Sequence, residues 1–369
     1  EAGGLTPLTG SLGNLDAVFH PHTKPGPPPA TLAGRAPVPD EALDFTLVEY
    51  TPEDVQVLHG VEVDECRFHL GTPGHTWIDV AGRPSSDMLR DLGMAFNLHP
   101  LALEDVFHAN QRSKLDLYEG QGFIVLNDPV YEDEALIPRQ VSIFFGDNYV
   151  ISFHDHKQDI FKPVRDRVQT AGSRLRTFGI DYLVYALVDL VVDRKFPLIE
   201  ALSTHLEDLE DEALERPTGD TLYHIHQARR ALVTFHRLQW AERETVLALM
   251  RPEVPFIMPE TRTYLRDCFD HAVAVLELVE SYREMTNGLM EVYLMHASNR
   301  MAEVMKTMAI ITVFFMPLSF LAGIYGMYFE TQLGNMPELG WKYGYAFFWI
   351  IAVSIVVTIF IWLKRKRWI

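Results

Sequence analysis

The residues of this chain with chemistry to offer are mostly carboxylates, hydroxyls and thioethers. Glu104 and Asp105 stand side by side in His99-Pro-Leu-Ala-Leu-Glu-Asp105. The helix that carries them is expected to open at Pro100, whose fixed backbone angle suits a first turn, and to end in Gln111-Arg-Ser-Lys114. Helix neighbours three and four apart share a face, so the adjacent Glu104 and Asp105 diverge and need a partner from elsewhere to hold one ion. His154-Asp-His156 and Glu132-Asp-Glu134 read as solvated turns, and His20 with His22 as an incidental pair on a flexible tail. Cys66 and Cys268 are too few for a disulfide framework and lack metal-ligand spacing, which points to a reducing compartment. A Gly-rich phosphate loop is missing and so is a nucleophile with its base, so no enzyme is expected.

A second constellation lies near the C-terminus. Glu291, Leu294, Ser298, Ala302, Met305, Met308, Thr312, Met316, Ser319 and Gly323 recur at spacings of three and four, the seam of a helix packed against copies of itself. The seam mixes small, hydroxyl and Met side chains, which suits either close helix packing or a lining that water and ions pass. An acidic run, Glu207, Asp208, Glu210, Asp211 and Glu212, reads as the solvated face of another helix.

These residues need elements to place them. Residues 1–40 are rich in Gly, Pro and small side chains and read as disordered. Residues 1–12 show no basic n-region and no apolar h-region, so no cleavable signal is expected. From about residue 41, short β-type runs (Phe45–Tyr50, Cys66–Leu70, Thr76–Val80, Phe123–Asn127, Val141–Phe145 and Tyr149–Phe153) alternate with helical segments near Ser85, after Pro100, over Val164–Arg176 and over Tyr182–Phe196. The last two strands flank Gly146-Asp-Asn148, a hairpin turn. An α/β domain over 41–195 results, followed by a helical hairpin over 196–258 that breaks at Pro217-Thr-Gly-Asp220. Pro259 then opens the longest helical pattern, assigned to 259–327. At ~1.5 Å per residue it extends on the order of 100 Å, more than one bilayer needs, so most of it is a stalk.

Its end, from Thr307, is apolar, and a second apolar run at 344–363 closes on the basic tail 364–369. Two membrane spans joined by a loop at 328–343 follow. Lys306 precedes the first span and Lys364-Arg-Lys-Arg367 follows the second, while the loop has Lys342 alone, so both chain ends are expected in the cytoplasm and the loop outside. The chain of 369 residues has 50 acidic and 32 basic side chains, a balance that argues against nucleic acid and suits cations. Two spans cannot enclose a channel; a pore would need a ring of subunits closed by cyclic symmetry.

His99 to Lys114, Val304-Met-Lys306, Phe315-Met-Pro-Leu-Ser-Phe-Leu-Ala-Gly-Ile-Tyr-Gly-Met327, Met336-Pro-Glu-Leu339 and the basic tail together resemble the CorA family of divalent-cation channels. The resemblance covers about residues 41–369. It implies a funnel-shaped homopentamer in the inner (plasma) membrane, with an α/β cytoplasmic domain, a long stalk helix and two transmembrane helices per subunit, transporting Mg2+ or related ions such as Co2+ and Ni2+. Carried over by position, Glu291 and Asp105, with Glu104 beside it, are expected to form a regulatory Mg2+ site between subunits. Met305 and Met308 match an apolar constriction, and Gly326, Met327 and Tyr328 the outer selectivity filter.

This chain departs from the family pattern twice. Tyr328 stands where the signature has Asn, exchanging an amide oxygen that would hold hydrated Mg2+ for one phenol oxygen on a bulky ring. Ala302 stands where a second Asn is frequent. A ZntB-like, proton-coupled Zn2+ importer and a non-conducting membrane-anchored scaffold or sensor are the alternative readings.

Overall fold

The computed structural model describes residues 32, 43–61, 63, 66, 74–132, 135–155, 158–215, 217–327 and 341–368. The segment assigned to 1–40, apart from residue 32, lies outside the described residues, as do His156, Asp133, Glu134, Tyr328 and most of the loop assigned to 328–343. The chain divides into two compact units, Glu1–Met290 and Glu291–Ile369.

The first unit is built on one seven-stranded sheet. Its strands are β1 (Asp44–Tyr50), β2 (Val55–His59), β3 (His75–Ala81), β4 (Lys114–Tyr118), β5 (Gln121–Glu132), β6 (Ala135–Phe145) and β7 (Tyr149–His154), in the spatial order β2-β1-β3-β7-β6-β5-β4. Among the described residues, β3 and β7 alone pair in parallel, and the other neighbours are antiparallel. The expected hairpin forms across residues 146–148, with Phe145 opposite Val150. β3, β6 and β7 are buried along most of their length, which accounts for the apolar residues on both faces at Trp77-Ile78, Ile143-Phe-Phe145 and Val150-Ile151.

Two edge strands, β2 and β4, escaped the sequence reading. The expected strand at Cys66–Leu70 is not supported where it can be seen: Cys66 is helical and buried, and residues 67–70 lie outside the described residues.

Helices cover both faces of the sheet, because its two faces feed two hydrophobic cores. One contains Phe45, Ile78, Phe123 and Phe144 against α1 (Ser86–Phe96) and α2 (Pro100–His108). The other contains Trp77, Ile124, Ile143 and Val150 against α3 (Lys162–Gln169), α4 (Arg174–Thr177) and α5 (Ile180–Asp193). The expected single helix over Val164–Arg176 is interrupted, and the break holds Gly172 at φ 76°, a left-handed backbone that glycine adopts without a Cβ penalty. α5 is buried almost all round, as its run of Val and Leu requires.

α6 (Lys195–Glu215) and α7 (Gly219–Leu249) form the helical hairpin. Leu202, Leu206, Leu209 and Ala213 are its buried stripe; Glu207, Asp208, Glu210 and Asp211 face outward as expected, whereas Glu212 is half-buried and accepts from the Thr221 hydroxyl of α7. Thr218 caps α7 reciprocally with Thr221, which holds the break at Pro217.

α8 (Pro259–Tyr325) is one helix of 67 residues that runs through Pro317. Thr261, Leu265, Cys268, Ala272, Val275 and Val279 bury one face of its first third in the first unit. The second unit consists of the remainder of α8 and of α9 (Gly344–Arg365), joined by ring contact of Tyr325 with Phe348 at 5.3 Å. Both helices hold a stretch long and apolar enough to cross a membrane.

Candidate functional site

Asp105 sits in the last turn of α2. His99 caps that helix, its Nδ1 accepting from the Leu101 amide at 3.3 Å, while its ring stacks on Tyr118 of β4 at 4.0 Å. The helix does not reach Lys114 as expected. It stops at His108, and the chain turns through two left-handed residues, Ala109 (φ 47°) and Asn110 (φ 64°), before β4 begins. Side chains of the neighbouring strands hold this turn: Gln140 Oε1 accepts from the Gln111 amide at 2.8 Å, and Asn127 Nδ2 donates to the Gln111 carbonyl at 3.2 Å. Gln140 Nε2 also donates to the carbonyl of Asp105 at 2.9 Å, so the backbone of the acid is tied to β6.

The Asp105 carboxylate meets a cation of the chain itself. Lys114 Nζ lies 2.7 Å from Asp105 Oδ2 and 2.6 Å from Asp116 Oδ2. Burial alone would lower the Lys114 ammonium's pKa, but hydrogen bonds and charge from Asp105 and Asp116 outweigh it and raise it. Two carboxylates around one ammonium leave a net negative, oxygen-donor site of the kind a hard divalent ion uses. Glu104, the preceding residue of the helix, is half-buried.

Glu291 is exposed on α8, and so are the other seam positions: Ala302, Met305, Met308, Thr312, Met316, Ser319 and Gly323. Exposure does not single out the seam, because Phe315 and Phe320 on other faces are equally bare. Thr312 adds a chemical detail. Its hydroxyl donates to the Met308 carbonyl at 2.9 Å, so what it turns outward is oxygen lone pairs, which suit a cation or its water shell. After Tyr325 the helix closes with the Gly326 amide on the Ala322 carbonyl at 2.9 Å and the Met327 amide on the Ile324 carbonyl at 3.2 Å. A Cβ at Gly326 would come within 3.1 Å of the Ala322 carbonyl oxygen, a close approach that glycine permits.

The structure brings together a third group that the sequence did not suggest. Asp189 and Asp193, one turn apart on α5, meet His271 of α8, with one ligand atom from each within 4.8 Å of the others. His271 Nδ1 lies 2.9 Å from Asp193 Oδ1. Burial, and then the neighbouring Asp193, lift the Asp189 carboxyl from an ordinary 3.8 to about 6. The one sequence signal was the pair of acids at a spacing of four in the last turns of a helix whose other residues, Asp181 apart, are apolar or aromatic.

Close by, Lys195 and Glu242 are a buried ion pair, the ammonium donating to both carboxylate oxygens at 2.7 and 2.8 Å and to the Val191 carbonyl at 2.8 Å. Gln239, one turn earlier on α7, donates to the Ala272 carbonyl of α8 at 3.2 Å. These contacts fasten α5, α6 and α7 around the buried start of α8.

The family model described as "CorA-like Mg2+ transporter protein" matches residues 73–367. A cobalt/magnesium transport protein CorA of Thermotoga maritima is 36% identical over 348 residues, which are 94% of this chain and 98% of that protein. Among solved structures, the complete CorA magnesium transporter of Methanocaldococcus jannaschii superposes with a TM-score of 0.77 at 20% identity, covering 88% of this chain and 98% of that one. The cytoplasmic domain of ZntB from Vibrio parahaemolyticus shares the fold of the soluble part, with a TM-score of 0.54 at 10% identity over 69% of this chain and 99% of that one. With most of its length matched by the family model and by a full-length relative, the chain belongs to the CorA-like family of Mg2+ transporters.

Proposed function

We propose that this chain is one subunit of a homopentameric divalent-cation channel that carries Mg2+ and, less selectively, Co2+ and Ni2+ across the plasma membrane. The observation that carries the reading is α8, a single helix whose seam of small, hydroxyl and thioether side chains continues without interruption into its apolar stretch. Five copies of that seam line the pore. Met305 and Met308 form apolar rings that resist wetting and hold back a hydrated ion, and Thr312 and Ser319 offer oxygens beyond them. Gly326, Met327 and Tyr328 form the outer mouth. The basic cluster Lys364 to Arg367 at the end of α9 supports a cytoplasmic position for both termini.

Regulation is proposed at Asp105, with Glu104 beside it, and Glu291, contributed by different subunits. A cytoplasmic Mg2+ shared by these carboxylates ties the ring shut, and its loss frees the subunits to move. The oxygen donors at Asp105 fit such an ion in chemistry and charge.

The test is ion entry into liposomes holding a trapped indicator, with Mg2+, Co2+, Ni2+ and Zn2+ offered in turn at low internal Mg2+. Entry of Mg2+ and Co2+ without a pH gradient is expected. Entry of Zn2+ that needs a proton gradient would instead make the protein a ZntB-like importer, and absence of flux for every ion would leave a scaffold or sensor.

A further inference from the structure

Lys114 is the first residue of β4, the outermost strand on its side of the sheet. Residues two apart on a strand share a face, so Lys114 and Asp116 project side by side toward α2. The ammonium is therefore bracketed: Asp105 Oδ2 at 2.7 Å on one side, Asp116 Oδ2 at 2.6 Å on the other. The three groups are not equally mobile. The backbone of Asp105 is tied by Gln140 Nε2, and its side chain is 17% exposed, whereas Lys114, 37% exposed, moves on a four-carbon stem. Asp116, at 34%, is open to solvent beside it.

An ion pair that only stapled β4 to α2 would need one acid. Here a single ammonium has two, and the second offers it a resting place when the first is taken. A divalent ion cannot share Asp105 with an ammonium a few ångströms away, because the two cations repel one another. It must displace Lys114 to enter.

We propose that Lys114 is a tethered competitor for the cation at Asp105. Its ammonium occupies that carboxylate while no divalent ion is held and shifts to Asp116 when one binds, so this exchange sets the ion concentration at which the site fills. The inference rests on the reading of Asp105 as a ligand of the regulatory ion. It adds a positioning and threshold role for Lys114 and Asp116.

The experiment is limited chymotrypsin digestion of the full-length protein in detergent over a Mg2+ series, for the wild type and for Lys114→Met, Lys114→Arg, Asp116→Asn and Asp105→Asn. The reading is the Mg2+ midpoint of protection, with digestion rates at zero Mg2+ and thermal unfolding used to show that each variant is folded. Lys114→Met is expected to move the midpoint to lower Mg2+ by about two- to fivefold, the fold-change that a partly exposed ion pair is worth. Lys114→Arg should stay near the wild type. Asp116→Asn should move the midpoint upward, because Lys114 then has Asp105 alone.

A merely structural Lys114 predicts the opposite sign for Lys114→Met, or no shift. Either result, in a protein whose midpoint does respond to Asp105→Asn, overturns the role of Lys114 and leaves the regulatory reading intact. A downward shift in Asp116→Asn overturns it as well, even where Lys114→Met fails to fold. An Asp105→Asn midpoint equal to the wild type overturns the regulatory reading and the competitor role together.

Discussion

Breaking the pair of Lys195 and Glu242 from one side is expected to be among the most damaging polar substitutions in the first unit. Both side chains are buried, at 1% and 0% exposure, and all three ammonium protons are used, two on the carboxylate and one on the Val191 carbonyl. Burial pushes the Glu242 carboxyl above the ordinary carboxylate range, and the Lys195 charge pulls against that. Lys195→Met leaves that carboxyl buried without its counter-ion, and Glu242→Gln leaves a buried ammonium with one amide oxygen. Each single change should cost about 3–5 kcal/mol, whereas Lys195→Met with Glu242→Leu, which removes both charges at similar volume, should cost far less than either. Urea unfolding of the full-length protein in detergent, followed by far-UV circular dichroism and tryptophan fluorescence, gives the midpoints from which these differences are read. The reasoning is refuted if a single substitution costs under about 1 kcal/mol, or if the double variant costs the sum of the two singles, since additive effects mean uncoupled side chains.

Asp189 predicts a pH effect. Its carboxyl is raised to about 6 from 3.8, so the native state holds this proton more tightly than the unfolded chain, and the stability it contributes is present below about pH 4 and lost as pH rises to about 6. Asp189→Asn should therefore stabilise the protein by about 1–2 kcal/mol at pH 7.5, allowing for partial exposure, and flatten its stability between pH 4 and 6; an unchanged slope in that window would reject the assignment. Gln140→Ala removes the donor to the Asp105 carbonyl and the acceptor of the Gln111 amide, and should cost about 1–3 kcal/mol and raise the Mg2+ midpoint of protease protection. A midpoint that stays put would separate the fold of the turn from ion binding. Tyr328→Asn should increase Mg2+ entry into liposomes relative to Co2+, and equal entry in both proteins would remove Tyr328 from the filter.

What could be read from the sequence was local. Ser85 and Pro100 marked helix starts because capping and the proline ring act within one turn, and Gly146-Asp-Asn148 marked a hairpin for the same reason. The long helix and the two apolar stretches were legible because their periodicity runs over many turns. Lys114 was misread as a helix end. Gln-Arg-Ser-Lys looks like a polar last turn, but what stops α2 is a left-handed pair held by Gln140 and Asn127, 29 and 16 residues away from the Gln111 that they bind. β2 and β4 were missed because they are edge strands of five residues with an open face, which puts Gln56 and His59 on β2 and Lys114 and Asp116 on β4 among the apolar residues. Asp105 and Glu291 were each visible in the sequence, as a helix carboxylate and a seam position, but their pairing came from resemblance. The contact of Lys114 with Asp105 was hidden by the helix expected across the intervening turn, and the meeting of Asp189, Asp193 and His271 by a contact 78 residues apart, which leaves no spacing to read.

The polar contacts around the start of α8 have a common consequence. Between Cys268 and Ala272 this helix turns its own His271 to Asp193 of α5, accepts the Gln239 amide of α7 on its Ala272 carbonyl, and buries its Cys268 thiol, whose pKa is driven up by burial and then by Asp189 and Glu242. Apolar contacts alone would let a helix rotate or slide at small cost, since one methyl resembles another. A buried ammonium with three acceptors in fixed directions, and an amide aimed at one carbonyl, do not allow that, because each lost partner leaves a buried polar group unpaired. α5, α6, α7 and the first turns of α8 should therefore move as one body. A displacement of α5 relative to the sheet is then passed to these first turns of α8 rather than absorbed between the helices. Glu242→Gln should weaken that grip, and hydrogen exchange of the amides from Leu265 to Val279 should quicken in it while β6 and β7 keep their protection; equal protection in both regions would mean that the apolar stripe holds the helix by itself.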